Sequence, residues 1–151
     1  MPWAPARWAA SRSARANPPR AKVGSGGTAA NLFSQNPSLS ADGRFVAFQS
    51  DASNLAPGDS ALAGFNTGIF VADWLTGVIE RVSIAPGETG VLQQSTRPSI
   101  SADGRFVYFA NRGNDTIATF DVSGAEPVLV SEVDSSVFWP QHLLVHGDHL
   151  L

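Results

Sequence analysis

The chain has 151 residues, ten Lys and Arg against thirteen Asp and Glu, a net charge of −3, 43% hydrophobic residues and no cysteine. Thiolate chemistry, a thiolate metal site and a disulfide framework are therefore excluded, and no run of about 18 apolar residues marks a membrane span. Charge is uneven: Arg7, Arg12, Arg15, Arg20 and Lys22 are half of all basic residues and the first acid is Asp42, so residues 1–22 carry +5 and the remainder −8.

Residues 1–30 (beginning MPWAPARWAASRSARANPPRAKVGSGG) are rich in Ala, Arg, Pro and Ser and lack the continuous apolar stretch of a secretory signal. Such a composition buries too little surface to fold, and a disordered basic leader is expected. Its composition is also that of a transit peptide or of a nucleic-acid-binding arm. Nucleic acid is not the expected partner, because the basic residues come without a folded platform of stacking aromatics.

Two stretches of the body repeat each other: Asn36–Phe48 reads NPSLSADGRFVAF and Arg97–Phe109 reads RPSISADGRFVYF, identical at ten of thirteen positions. A duplicated unit means that fold and function belong to an array. In each copy a Pro opens a short strand, Asp42-Gly43 or Asp103-Gly104 suits a two-residue type I′ turn, and a β-prone run follows. A decayed third copy, PQHLLVHGDHLL, covers Pro140–Leu151.

The opening prolines lie 61 residues apart (Pro37 to Pro98) and then 42 apart (Pro98 to Pro140). The shorter spacing matches the roughly 40 to 50 residues that four strands and their turns occupy in a propeller blade. The second unit offers strands at Pro98–Ser101, Arg105–Ala110, Thr116–Val122 and Pro127–Val133. The first aligns to it at Pro37–Ser40, Arg44–Gln49, Gly68–Asp73 and Val78–Ile84, which places its 19 extra residues in two loops, where insertion costs little. The expected fold is all-β: an incomplete β-propeller of two four-stranded blades plus the first hairpin of a third. Its expected division is a leader at 1–30, blades at 31–96 and 97–139, and the start of a third blade at 140–151. Propellers close with roughly four to eight blades, so the chain reads as a piece of a larger propeller or as a protomer that assembles through open sheet edges.

Two family resemblances attach to these motifs. PSLSADGRFVAFQSDASNLAPGDS with GIFVADWLTGVIERVS resembles the PD40 or TolB-type (WD40-like) repeat over 36–109, with Asp73, Thr76 and Gly77 matching its turn between third and fourth strands. The departure is Asn66-Thr67-Gly68, where such repeats usually carry an acid. FVYFANRGNDTIATFDVSGAEPVLVSEVDSSVFWPQHLLVHGDHLL, 106–151, resembles the β-propeller lactonase family, which includes bacterial 6-phosphogluconolactonases. Ala110–Phe120 and Trp139–His142 carry that match, with Gln141 where the family more often has Arg.

The lactonase resemblance implies hydrolysis of a sugar-acid lactone in the complete parent, with the isolated chain inactive. That chemistry needs a base to activate water and a cation or N–H donor for the developing oxyanion. Arg112 and His142 are the candidate catalytic residues: Arg112 next to Gly113 to face a carboxylate or phosphate, His142 because imidazole suits base catalysis near neutral pH. The bland alternative pairs Arg112 with Asp115 or Asp121 and packs His142 between blades. No cofactor or metal is expected. His142, His146 and His149 are interrupted by the Gly147-Asp148 turn, and Asp51, Asn54, Asp59 and Asn66 lack calcium-loop spacing and read as turn formers. Ser38 and Ser40, duplicated at Ser99 and Ser101, read as scaffold.

Three outcomes are compatible with these residues: a lactonase-like hydrolase acting on a small-molecule lactone, a TolB-like propeller that binds a protein or glycan through loops such as Ser50–Gly68, and a fragment without independent function. The first implies the cytoplasm, the second the periplasm or secretion.

Overall fold

A computed structural model of the chain describes residues 29–57, 67–84, 94–135, 145–146 and 149–150. Residues 1–28 of the leader and the WPQH motif lie outside the described residues. Two four-stranded antiparallel sheets follow one another, each in the order of the sequence. The first holds β1 (Ser34–Leu39), β2 (Phe45–Ser50), β3 (Gly68–Asp73) and β4 (Ile79–Arg81). The second holds β5 (Ser95–Ile100), β6 (Phe106–Asn111), β7 (Thr116–Asp121) and β8 (Val128–Asp134). A short hairpin of β9 (Val145–His146) and β10 (His149–Leu150) pairs His146 with His149. These are two blades of a propeller and the first hairpin of a third, and no helix of the described residues is long and apolar enough to cross a membrane.

The eight expected strands are all present, and the departures have local causes. β1 and β5 begin ahead of their prolines, at Ser34 and Ser95, the latter two residues before the boundary drawn at 97. Pro37 and Pro98 have no N–H for the ladder, and each strand absorbs its proline in a bulge, with the register shifting between Gln35 and Ser38 and between Thr96 and Ser99. Asn36 and Arg97 take φ of 52° and 55° within those bulges.

The Asp-Gly turn is not type I′, because only the glycines are at positive φ: Gly43 at 70° and Gly104 at 76°. The Gly43 N–H donates to the Ser40 carbonyl at 2.9 Å, so Ala41 and Asp42 form the turn and Gly43 realigns the strand. Ser40 holds this geometry: its hydroxyl meets Asp42 Oδ1 at 2.5 Å and accepts the Phe45 N–H at 3.0 Å. Ser101 repeats both contacts with Asp103 and Phe106. Ser40 and Ser101 thus each close their own turn.

The main core lies between the sheets. Ala47, Ile69, Val71 and Val82 of the first blade meet Ile100, Val107, Phe109, Ala118 and Phe120 of the second. Alternation makes this possible, since every second residue of a strand faces the neighbouring blade. The blades are also stapled by polar bonds: Ala41 N–H to the Ala102 carbonyl (2.9 Å), Ile100 N–H to Ser38 Oγ (3.2 Å) and Arg97 N–H to Gln49 Oε1 (2.9 Å). Phe45 lies over Gly104, where an added Cβ would stand 2.5 Å from its ring. A second cluster on the far side of the first blade packs Phe48 on Phe70, with Leu55 and Ile79.

Candidate functional site

The strands carry their chemistry at two ends. At the end bearing the Ser-x-Asp-Gly-Arg turns, Arg44 grips Asp73 through two bonds of 3.0 and 2.8 Å, and Arg105 grips Asp121 at 3.0 and 2.9 Å. The Ser123 hydroxyl and the Arg105 guanidinium lower the Asp121 carboxyl to about 2, and Arg44 holds Asp73 well below the usual carboxylate range. A cleft of about 450 Å³ lies between these turns, floored by Phe45, Val71 and Val78. Because each ion pair joins the start of a second strand to the end of a third within its own blade, the pairs are blade clamps. One of them also takes Asp121 away from Arg112, correcting one of the two pairings considered for that arginine.

The opposite end is where the copies differ. Arg112 opens the turn between β6 and β7, half-buried, with its N–H donating to the Gln94 carbonyl at 3.3 Å. Asp115 closes that turn at φ 54°, and its carbonyl accepts the Ser135 N–H at 2.8 Å. Both flanks of the Arg112 turn are thus tied, to β5 on one side and to the end of β8 on the other.

Asn111, directly before Arg112, is 2% exposed. Its Oδ1 accepts no hydrogen bond among the described residues, whereas its Nδ2 faces Glu132 Oε1 at 3.5 Å, which Thr116 Oγ1 approaches at 2.6 Å. The matching position in the first blade, Ser50, bonds Ser34 Oγ, the Phe33 carbonyl and the Ala52 N–H. An orphaned buried acceptor costs about 1–3 kcal/mol, so at Asn111 the second blade departs from the fully bonded arrangement that Ser50 has in the first.

Gln49, 5% exposed, presents one oxygen to two bulges: it accepts Asn36 Nδ2 at 2.7 Å and the Arg97 N–H at 2.9 Å. Asn111, Gln49 and Arg97 were not among the residues singled out from sequence. The signal lay in the differences between the copies, Asn36 against Arg97 and Gln49 against Ala110, which the identities overshadow.

Among the other candidates, His142 lies outside the described residues, as do Asp59 and Asn66. Asp51 Oδ1 accepts the Thr67 hydroxyl at 2.6 Å, and Asn54 bonds the Asn31 N–H and the Ala29 carbonyl, so both organise their loop. No group of three His, Cys, Asp or Glu suited to a metal occurs among the described residues. Where the PD40 pattern usually carries an acid, Gly68 makes room for Arg81: a Cβ there would meet its Nη2 at 2.6 Å. That guanidinium lies 5.4 Å from the centre of the Phe70 ring.

The family described as Lactonase, 7-bladed beta-propeller, matches residues 69–151, just over half of the chain. A 6-phosphogluconolactonase of Bacillus subtilis is 38% identical over 65 residues, which are 42% of this chain and 19% of that protein. Among solved structures, TolB from Acinetobacter baumannii is similar with a TM-score of 0.43 and 19% identity, over 70% of this chain and 22% of TolB. Hydrazine synthase of Kuenenia stuttgartiensis gives 0.46 and 15%, over 70% and 36%. The chain spans about a fifth of the curated relative's length and less than two fifths of either structure.

Proposed function

The chain belongs to the Lactonase, 7-bladed beta-propeller family, and from that premise we propose that the protein of which these blades are part hydrolyses a sugar-acid lactone. The family match over 69–151 carries the reading, since it includes both the Arg112 turn and the WPQH motif. The relative from Bacillus subtilis bears the name of an enzyme for a phosphorylated gluconolactone, and we take that compound as the first substrate to test.

In the proposed reaction His142 accepts a proton from water as its oxygen bonds to the lactone carbonyl carbon. The Arg112 guanidinium faces the negative charge, on the developing oxyanion or on the sugar acid's own anionic group. Collapse breaks the ring C–O bond, the leaving ring oxygen takes the proton, and an open-chain hydroxy acid departs. Asn111 Oδ1, buried and without a donor among the described residues, suits a substrate hydroxyl. No cofactor is required by this sequence of steps.

The test is steady-state hydrolysis by the full-length protein against its Arg112→Ala and His142→Ala variants. Losses of roughly 100-fold or more in kcat/KM are expected for each, the range for removing a catalytic base or an oxyanion donor. Rates equal to wild type in both variants overturn the assignment.

A further inference from the structure

We propose that the cleft between the two blades docks an extended segment of a partner protein, one in which a lysine or arginine stands beside a large apolar residue. The cleft lies at the end of the strands opposite the Arg112 turn, so its use does not depend on the lactone chemistry. It encloses about 450 Å³, within the roughly 300–1,000 Å³ of ligand-binding clefts. Both blades build it: β3, β4 and the turn between them on one side, the Asp103-Gly104 turn and the residues that follow β7 on the other.

Apolar surface that the fold does not use is the first property selecting the occupant. Thr76 and Val78 line the cleft, Val78 is 46% exposed, and their turn also carries Trp74 and Leu75 at 46% and 76% exposure. Neither core cluster includes Trp74, Leu75 or Val78. Together with Phe45 and Val71 on the floor, they extend the apolar surface from the cleft onto the turn beside it, further than one small ligand covers. Exposed apolar patches rimmed by polar groups mark contacts with other proteins, and tryptophan is prominent among the residues that carry the energy there.

Charge is the second property. Both arginines of the rim are engaged within their own blades, Arg44 by Asp73 and Arg105 by Asp121. Asp103 is engaged as well, by the Ser101 hydroxyl and the Arg105 N–H. Glu80 is different. It stands half-buried on the cleft wall, where burial pushes its carboxyl up and the negative charge of Glu126, from the second blade, pushes it the same way. With the rim's positive charges already neutralised, a cation entering the cleft pairs Glu80 and offsets its repulsion with Glu126, whereas an acidic segment adds to that repulsion. Self-association through this patch would set like charges against each other, since a two-fold contact joins the same surface of two copies. The complementary occupant is therefore a basic segment of another protein, with an apolar side chain for the floor.

The test presents the full-length protein with a positional-scanning library of acetylated hexapeptides, followed by fluorescence anisotropy of the selected peptide. Wild type should enrich Lys or Arg next to Leu, Phe or Trp. Glu80→Gln should bind the selected peptide roughly 3- to 10-fold more weakly, as for loss of a half-exposed charge pair, and the weakening of its binding by added NaCl should flatten. Val78→Arg, which sets a cation on the apolar wall, should abolish binding, and Thr76→Arg at the exposed rim repeats that block without touching the floor. Urea unfolding of each variant keeps loss of the fold apart from loss of the site. No enrichment, enrichment of acidic or uncharged sequences, or a peptide bound as well by Glu80→Gln and Thr76→Arg as by wild type overturns the proposal. Hexylamine competing as strongly as the peptide overturns it in favour of a small-cation site. A synthetic peptide of residues 1–22 that displaces the selected peptide at lower concentration than the peptide itself assigns the cleft to this chain's own basic leader and likewise overturns the partner reading.

Discussion

Replacing Gly104 by alanine should destabilise the protein more than the same change at Gly43, although the two glycines occupy equivalent turns. Their φ values are nearly the same, 76° and 70°, so both variants bear the left-handed strain of an L-residue, about 1–2 kcal/mol. The surroundings differ. A Cβ on Gly43 meets nothing within 4 Å, whereas one on Gly104 lies 2.5 Å from Phe45 Cδ2, 3.1 Å from Cε2 and 3.2 Å from Cγ. Comfortable carbon contacts are about 3.5–4.0 Å, so the ring must retreat by about 1 Å from its seat against the inter-blade core. Forced overpacking of this kind costs about 1–3 kcal/mol, which is the expected gap between the two variants in equilibrium urea unfolding. In a Phe45→Ala background the gap should close, since the clash is removed with the ring. Equal destabilisation by the two glycine variants, or a gap that survives in Phe45→Ala, would refute the packing of one blade's aromatic ring on the next blade's turn.

Two further outcomes follow from the polar contacts. Asp121 is lowered to about 2 in the folded chain by the Ser123 hydroxyl and Arg105, and Asp73 is held well down by Arg44, both below the unfolded value of about 3.9. Their stabilisation is therefore complete above about pH 5 and is lost as pH falls through the folded values; in urea titrations between pH 5 and 2, Asp121→Asn should lose less stability on acidification than wild type, and parallel curves would contradict the linkage. Gln49→Leu removes the acceptor shared by Asn36 Nδ2 and the Arg97 N–H; a loss of about 1–3 kcal/mol is expected, and an unchanged unfolding midpoint would show that the bulges hold themselves.

The strands were legible because two copies agree: alternation around Phe45–Phe48 and Phe106–Phe109, with a glycine turn before each, leaves little freedom of register. The turn type was not. Asp-Gly suits a two-residue turn, but Ser40 and Ser101 draw the chain into a wider one by binding Asp42 and Asp103, a side-chain effect that composition does not reveal. The bulges escaped for a similar reason, since a proline in a strand was read as its start when it is a defect the strand absorbs. The contact of Gln49 with Arg97 depends on which faces meet across blades, and that of Arg105 with Asp121 on the register of β6 against β7; long-range geometry of that kind is absent from local pattern. At the candidate site the Arg112 turn could be found by motif. Asn111 and Arg97 become visible only when the copies are compared for what changed, Ser50 against Asn111 and Asn36 against Arg97.

The most direct test is whether the full-length protein, purified from its source, opens 6-phosphogluconolactone faster than the solvent does, followed by NMR detection of the acid at neutral pH. Accelerated ring opening that collapses in Arg112→Ala is the result predicted here. A time course that superimposes on spontaneous hydrolysis at micromolar enzyme, for this lactone and for unphosphorylated gluconolactone alike, would contradict it.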